Sequence, residues 1–237
     1  MPGLDGTGLI FRAFLEKTPA CFAPSVVPLP QEGAMDYVAL AERLAPEVER
    51  ASAGRASVLL GETFAGPLAL HIAARLPQSI RAVILAVTFV EPPSWRGFRH
   101  VVHHALFTLR PPGFGFRLAL AGRHATRELL ADVQAARRAA NTRAMADRLR
   151  VVLGVDARRA LADCRVPILA LHGGRDRLVP PRAARAMARA RADVEHVTFD
   201  GPHLLLQSKP SECWGAIEDF VVRRTALSGR QAAGEGS

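Results

Sequence analysis

Residues 57–74 read SVLLGETFAGPLALHIAA, and this stretch decides the fold of the chain. It opens with an apolar run typical of a buried strand, then turns and continues as an apolar helix. Gly61 and Ala65 stand two residues before and two residues after Thr63. A tight strand–turn–helix junction needs small residues at these two places, because a larger side chain would collide with neighbouring backbone. The pattern predicts that the side chain of Thr63 projects from the end of a strand.

Strand-like and helix-like segments alternate on both sides of this junction. Runs typical of buried strands occur at 80–90, 166–171 and 194–199, and a short extended stretch that we also interpret as a strand lies at 24–29. Helical patterns occur at 9–17, 37–49, 65–76, 181–192 and 210–225. Alternation of this kind predicts an α/β fold with a mostly parallel sheet and helices on both faces.

Between the second and third predicted strands the chain changes character. Residues 91–161 are helical and rich in arginine, and they contain no run typical of a strand. We predict one domain over 1–237, with a core at 1–90 and 162–225, an inserted helical cap at 91–161 and a flexible tail at 226–237. Apolar cap residues between 98 and 120 either line a substrate pocket, rest on a membrane surface or pack onto the core, and packing is the commonest of these.

Composition bounds the class of protein. Of the 237 residues, 49% are hydrophobic and 22% are charged, which is ordinary for a globular protein. No apolar run reaches the roughly 18 residues that a membrane span needs, so no stable membrane insertion is expected. Cys21, Cys164 and Cys213 are widely spaced and odd in number, which favours buried free thiols. We therefore expect a cytoplasmic protein.

Positive charge is concentrated in the cap. The net charge is +9, and residues 91–160 hold thirteen arginines against five acidic residues. Such a surface suits nucleic acid or an acidic acyl donor, although a solvated face is the commoner explanation. No nucleic-acid recognition motif, nucleotide-binding glycine pattern or H-E-x-x-H metal motif is present, so no nucleic-acid partner, cofactor or metal is expected.

Three candidate catalytic residues follow predicted strands: Thr63, Asp176 and His203. In a parallel sheet, functional groups collect where strands end, so we expect these three side chains to meet. The chain order of nucleophile, acid and histidine is that of the α/β-hydrolase fold. In this arrangement His203 would take the proton of the Thr63 hydroxyl, and Asp176 would orient the imidazole and stabilise its charged form.

A reaction at a carbonyl group also needs donors for the oxyanion that forms. We predict that the backbone N–H groups of Phe64, directly after the apex, and of Leu4, in the glycine-rich loop at 2–8, supply them. The side chain of Asp5 is expected to orient that loop by bonding to backbone.

Four motifs carry a family resemblance. They are PGLDGTG at 2–8, GETFAG at 61–66, LHGGRDRLVP at 171–180 and GPH at 201–203. Together they resemble bacterial α/β hydrolases of the esterase and thioesterase type. More narrowly, they resemble proteins with PGLDGTG and GESFxG motifs, a combination also seen in plastid phytyl ester synthases. The resemblance spans residues 2 to about 222 and is weakest across 91–161; Thr63 stands where those proteins have serine.

The resemblance also implies a strand directly before the glycine-rich loop, in the sheet between the strand at 57–62 and the one near Val26. The sequence begins at the loop, so we expect the N-terminal strands to be missing and that position in the sheet to be empty. Strands separated by an empty position are about 9 to 10 Å apart and cannot pair. Either upstream residues are missing or the sheet closes differently.

The sequence thus predicts a hydrolase that cleaves a carboxylic ester or thioester of an apolar acyl group through an acyl-enzyme. Two alternatives stay open: an acyltransferase that uses the same site, and a non-catalytic small-molecule binder in which Thr63 replaces the serine nucleophile. The natural substrate, its acyl length and the oligomeric state do not follow from the sequence.

Overall fold

The computed structural model describes residues 1–93, 100, 102–104, 107, 120–122 and 125–234, with side chains described as far as 224. A short 3₁₀ turn, Leu9–Phe11, comes first. The other helices and strands are, in chain order, α1 (Arg12–Leu15), α2 (Tyr37–Ser52), β1 (Ser57–Glu62), α3 (Ala65–Arg75), β2 (Ile80–Ala86), α4 (Arg127–Ala139), α5 (Thr142–Gly154), α6 (Arg158–Asp163), β3 (Ile168–Gly173), α7 (Arg182–Ala190), β4 (Glu195–Phe199), α8 (Leu205–Ser208) and α9 (Pro210–Gly234).

The strands form one parallel sheet in the order β1-β2-β3-β4. Successive residues of β2 point to opposite faces, so Val83 belongs to a core with α2, α3, α6 and α7, whereas Ile84 belongs to a second core with α1 and α9. Because both faces are apolar and covered, the sheet is buried between two helical layers. This confirms the predicted α/β fold with a parallel sheet and helices on both faces.

The predicted element boundaries differ from the observed ones by several residues. β2 ends at Ala86 rather than at residue 90, because Val87 adopts a left-handed backbone with φ +43° that turns the chain out of the sheet. β3 begins at Ile168, two residues later than predicted. At the other end of the chain, α9 has helical backbone as far as Gly234, where the sequence predicts a flexible tail from 226.

The stretch near Val26 does not form a strand, so that prediction is wrong. Residues 22–30 have no regular secondary structure, and a cavity of about 450 Å³ separates them from β1. Among the described residues, Met1 alone pairs with the outer edge of β1: its N-terminal amine donates to the carbonyl of Leu60 over 2.7 Å, and its carbonyl accepts the N–H of Glu62 over 3.2 Å. Strands that pair by backbone hydrogen bonds lie about 4.8 Å apart. The cavity keeps residues 22–30 farther than this from β1, so the segment cannot pair with β1.

Helices α4 and α5 lie within the predicted cap, and α6 crosses its expected end at 161. Most of the apolar cap segment at 98–120 lies outside the described residues, so its contribution to a pocket stays a prediction. The division of the chain into core, cap and tail likewise stays a prediction. Among the described helices, none combines the length and the apolar character that crossing a membrane requires.

Candidate active site

Thr63 sits at the apex of the turn between β1 and α3. Its backbone is left-handed, with φ +49°, and its N–H donates to the carbonyl of Ala86 over 2.9 Å. A Cβ at Gly61 would lie 2.7 Å from the carbonyl carbon of Ala65, which is closer than real Cβ atoms approach. The small residue two before the apex is therefore required by backbone packing, as the sequence indicates. A β-branched residue at positive φ is strained, and strain of this kind is typical of functional sites.

The three side chains predicted to act together do lie together. Thr63 Oγ1 is 3.2 Å from Nε2 of His203, and Nδ1 of the same ring is 2.8 Å from Oδ2 of Asp176. His203 begins the short turn before α8, and its side chain is 7% exposed. These contacts join residues that are 140 and 27 positions apart in the chain. The imidazole is placed to take a proton from the hydroxyl while the carboxylate fixes its tautomer.

Backbone groups of its own loop hold Asp176. Its Oδ1 accepts hydrogen bonds from the N–H groups of Leu178 and Val179, over 2.7 and 2.9 Å, while Oδ2 faces His203. The side chain is only 2% exposed. A carboxylate that accepts three hydrogen bonds in a buried site is fixed in orientation, so the ring of His203 is fixed as well.

The glycine-rich loop lies directly against the hydroxyl of Thr63. A Cβ built on Gly3 would be 3.7 Å from Thr63 Oγ1, so the backbone at Gly3 and Leu4 borders the space beside the nucleophile position. The carboxylate of Asp5 accepts the backbone N–H of Thr7 over 2.8 Å, which confirms its expected role in shaping the loop. Leu4 follows Gly3 in this loop and Phe64 follows Thr63 in the turn, and the role of their N–H groups as oxyanion donors stays a prediction.

Thr88 supports the turn from behind and was not identified from the sequence. Its hydroxyl donates a short hydrogen bond to the carbonyl oxygen of Thr63, and the residue is 1% exposed. A Cβ at Gly66 would lie 2.6 Å from the Thr88 Cβ, so the glycine makes room for this support. The spacing of the motif indicates the glycine but not the threonine, because the pairing of β1 with β2 is what brings Thr88 to the turn.

Glu62, next to Thr63, is a buried carboxyl that belongs to the GETFAG motif but was not among the predicted site residues. It is 2% exposed and accepts a hydrogen bond from Nε2 of Gln207 over 2.8 Å. Burial, which disfavours the charged form, raises the pKa of Glu62 to about 7. This carboxyl therefore titrates in the neutral range immediately beneath the site.

The predicted cap contributes a third residue that the sequence analysis did not identify. Arg148, on α5, is fully buried, and its guanidinium donates to the carbonyl of Leu4 over 2.9 Å. In the sequence this residue is one of thirteen cap arginines, and nothing in its local pattern separates it from the exposed ones.

Histidine and cysteine side chains, which are possible metal ligands, also occur elsewhere in the described residues. His172 packs on His196 with 2.9 Å between Nε2 and Nδ1, and burial lowers the pKa of His172 to about 4. Within the described part of the chain, no three His, Cys, Asp or Glu side chains are grouped to hold a metal ion. The cysteines at 21, 164 and 213 are free thiols. Cys164 and Cys213 are buried as expected, but Cys21 is exposed, which corrects the expectation that all three are buried.

Several known proteins are similar to this chain. Pimeloyl-acyl-carrier protein methyl ester esterase from Xylella fastidiosa (strain 9a5c) is 29% identical over 233 residues, which cover 90% of this chain and 90% of that protein. The protein of the same name from Stenotrophomonas maltophilia (strain K279a) is 30% identical over 201 residues, or 76% and 75% of the two chains. An esterase from Exiguobacterium antarcticum superposes with a TM-score of 0.80 at 16% identity, over 93% of this chain and 90% of the esterase.

The TM-score shows that the solved esterase shares its fold with this chain. Because the sequence identity is only 16%, this likeness carries information about the fold alone. The sequence comparison reaches further. The model of one family, described as the alpha/beta hydrolase family, matches residues 3–216. This range contains Thr63, Asp176 and His203 and covers most of the chain. The chain therefore belongs to the alpha/beta hydrolase family.

Proposed function

We propose that this protein is a carboxylic ester hydrolase in which Thr63 is the nucleophile, His203 the general base and Asp176 the residue that orients the histidine. The observation that carries the proposal is the continuous hydrogen-bonded path from Thr63 Oγ1 through both ring nitrogens of His203 to Asp176 Oδ2, over 3.2 and 2.8 Å. A hydroxyl is a weak nucleophile at neutral pH, and this path supplies the base that activates it.

In the first half of the reaction, the Thr63 oxygen attacks the carbonyl carbon of the ester while its proton passes to Nε2 of His203. The carbonyl oxygen becomes an oxyanion, which the backbone N–H groups of Leu4 and Phe64 stabilise. The bond to the leaving alcohol then breaks, and His203 returns the proton to the departing oxygen. The products of this half are a free alcohol and an acyl group on Thr63.

In the second half, a water molecule takes the position of the alcohol. His203 accepts a proton from the water as its oxygen attacks the acyl carbon, and the same two N–H groups hold the second oxyanion. Collapse of this intermediate breaks the bond to Thr63, and the proton returns to the Thr63 oxygen. The enzyme is regenerated and a carboxylic acid is released.

The methyl group of Thr63 distinguishes this site from one that uses serine. It restricts rotation about χ1, so the hydroxyl has fewer orientations than a serine hydroxyl would have. The orientation present here already points toward His203. The methyl group therefore reduces the space available to the acyl group, while the hydroxyl is still present as a nucleophile. We expect slower turnover than with serine at this position.

For the substrate, we propose an ester of an apolar acyl chain, and more narrowly a methyl ester whose acyl group is attached to a carrier protein. Two similar proteins are named for a methyl ester of this kind. Exposed arginines at Arg127 and Arg138, on α4, offer positive charge for an acidic acyl donor. Transfer of the acyl group to an alcohol instead of water is the alternative reaction of the same site.

The experiment compares the wild type with Thr63→Ser, Thr63→Ala and His203→Ala on p-nitrophenyl esters of graded acyl length and on the corresponding methyl esters. We expect activity in the wild type, higher activity in Thr63→Ser and none above background in Thr63→Ala and His203→Ala. Activity that appears only in Thr63→Ser would show instead that the natural protein binds without catalysis. Equal activity in the wild type and Thr63→Ala would exclude Thr63 as the nucleophile.

A further inference from the structure

Arg148 carries a positive charge into the interior of the protein. The residue is 0% exposed, and in the described part of the chain no carboxylate lies within ion-pair distance of its guanidinium. Its Nε has no hydrogen-bond partner there either. Burial lowers the pKa of Arg148 to about 10, so the side chain stays charged at neutral pH. The charge of Asp5 partly offsets this cost of burial but makes no ion pair with the guanidinium. A buried charge without an ion pair is costly, so packing alone is a poor explanation for an arginine at this position.

The two hydrogen bonds of the guanidinium go to backbone carbonyls near the site. Nη1 donates to the carbonyl of Leu4 over 2.9 Å, and Nη2 donates a short bond to the carbonyl of Pro30. The adjoining residue Leu29 donates its N–H to the carbonyl of Gly6 over 2.7 Å. Arg148 therefore ties the glycine-rich loop to the segment behind it and fixes the backbone of Leu4 from the carbonyl side.

The same guanidinium also contacts the second candidate oxyanion donor. Its central carbon lies 5.9 Å from the centre of the Phe64 ring, within the range of a cation–π contact. Arg148 thus touches both Leu4 and Phe64, the two residues whose N–H groups are assigned to the oxyanion. These residues are 60 positions apart in sequence and belong to different elements.

The loop is shaped to receive this side chain. Gly6 has φ +74°, and a Cβ at this position would lie 2.5 Å from Nη1 of Arg148. A second cap contact runs alongside it: Gln31 donates from Nε2 to the carbonyl of Asp5 over 3.2 Å and accepts the N–H of Asn141, at the start of α5, over 2.9 Å. The helix that carries Arg148 is therefore attached to the loop at two points.

We propose that Arg148 is a positioning residue that holds Leu4 and Phe64 at the separation the oxyanion requires. It acts through these two residues and does not contact the reacting atoms. The proposal rests on the proposed ester hydrolysis. It assigns a role in the reaction to the cap helix α5, because a shift of α5 would move both donors at once.

The test compares Arg148→Met and Arg148→Lys with the wild type and with Arg143→Met, which removes an exposed arginine from the same helix. Steady-state kinetics on a short p-nitrophenyl ester give kcat and KM. Inhibition by a phenylboronic acid measures the oxyanion site directly, because its tetrahedral adduct with the nucleophile places an oxygen there. Urea unfolding of each variant gives the folded fraction by which the rates are corrected.

We expect Arg148→Met to lower kcat by about 10- to 100-fold with KM changed less than about 2-fold, and to weaken boronic acid inhibition by a similar factor. Arg148→Lys should fall between, because an ammonium group donates to the Leu4 carbonyl but cannot span both carbonyls. Arg143→Met should match the wild type. A kcat within about 2-fold in Arg148→Met, or a loss of kcat without weaker inhibition, would overturn the proposal.

Failure of the proposed function would look different. If Thr63→Ser alone is active, the Arg148 series is measured in that background with the same expectations. If neither the wild type nor Thr63→Ser cleaves any ester, the hydrolase proposal fails and the role of Arg148 in it fails too. Activity that is independent of Arg148 removes only the positioning role.

Discussion

His203 presents Nε2 to Thr63 and Nδ1 to Asp176, so one ring is bonded at both ends. With the proton on Nδ1, facing the carboxylate, the lone pair of Nε2 faces the hydroxyl and is free to accept its proton. The opposite tautomer would point a proton at the hydroxyl and leave no base. We therefore expect the proposed activity to depend on the hydrogen bond that Asp176 Oδ2 accepts from Nδ1.

Asp176→Asn tests this dependence. The backbone N–H groups of Leu178 and Val179 both donate to Oδ1, so the amide oxygen of the variant will stay at that position and its NH₂ group will face His203. The ring must then accept at Nδ1 and carry its proton on Nε2, which is the wrong tautomer. We expect kcat to fall by about 10³- to 10⁴-fold, with little change in the urea midpoint.

The control for this change is Asp163→Asn, which affects an exposed pair with Arg159 at the end of α6. Its kcat should equal that of the wild type. An Asp176→Asn enzyme that keeps more than about a tenth of the wild-type kcat would show that Asp176 does not orient the base.

Gly61→Ala tests the packing of the turn. The added Cβ would lie 2.7 Å from the carbonyl carbon of Ala65 and 3.0 Å from the Ala69 Cβ, and backbone cannot move aside cheaply. We expect a loss of about 1–3 kcal/mol in the free energy of unfolding, together with lower kcat because the turn that presents Thr63 must open.

Gly215→Ala is the matched control, since a Cβ there meets no atom within 4 Å and the residue lies in helix α9. This change should leave activity intact and stabilise the protein by up to about 1 kcal/mol. Equal stability of Gly61→Ala and wild type in urea would contradict the packing argument.

Glu62→Gln tests the buried carboxyl through the pH dependence of stability. The folded-state pKa of about 7 lies above the unfolded value near 4.5, so the folded protein binds more protons between these two pH values. The contribution of Glu62 to stability is then greatest below about pH 4.5, falls as pH rises to about 7 and stays level above it. The expected loss is roughly 3 kcal/mol, because an ionised Glu62 must be held without water.

Glu62→Gln cannot ionise, so its free energy of unfolding should not show this fall between pH 4.5 and 8. Urea unfolding at several pH values measures the difference, and Glu49→Gln, an exposed change on α2, should follow the wild type. Parallel curves for the wild type and Glu62→Gln would show that Glu62 is not a buried neutral acid in the folded state.

The sequence by itself determined the elements and the turn. Small residues at positions 61 and 65 are a local steric demand, and alternation of strand-like and helix-like runs is a local pattern, so both are visible without a structure. The motifs at 171–180 and 201–203 likewise identified Asp176 and His203 as candidates. The ends of the strands and helices could be predicted less well. The end of β2, for example, depends on the positive φ of Val87 and not on the apolar character of its side chain.

Only the tertiary structure decided which groups surround the site. Three residues that surround the site were not predicted. In the sequence, Thr88 belongs to an apolar run, Glu62 is one position of a motif, and Arg148 is one of many arginines in a helical segment. The segment at 24–29 was predicted to be a strand but forms none, since pairing depends on a neighbour within about 4.8 Å. Burial, pKa and hydrogen-bond partners depend on distances between residues far apart in the chain, and packing sets those distances while local sequence patterns do not.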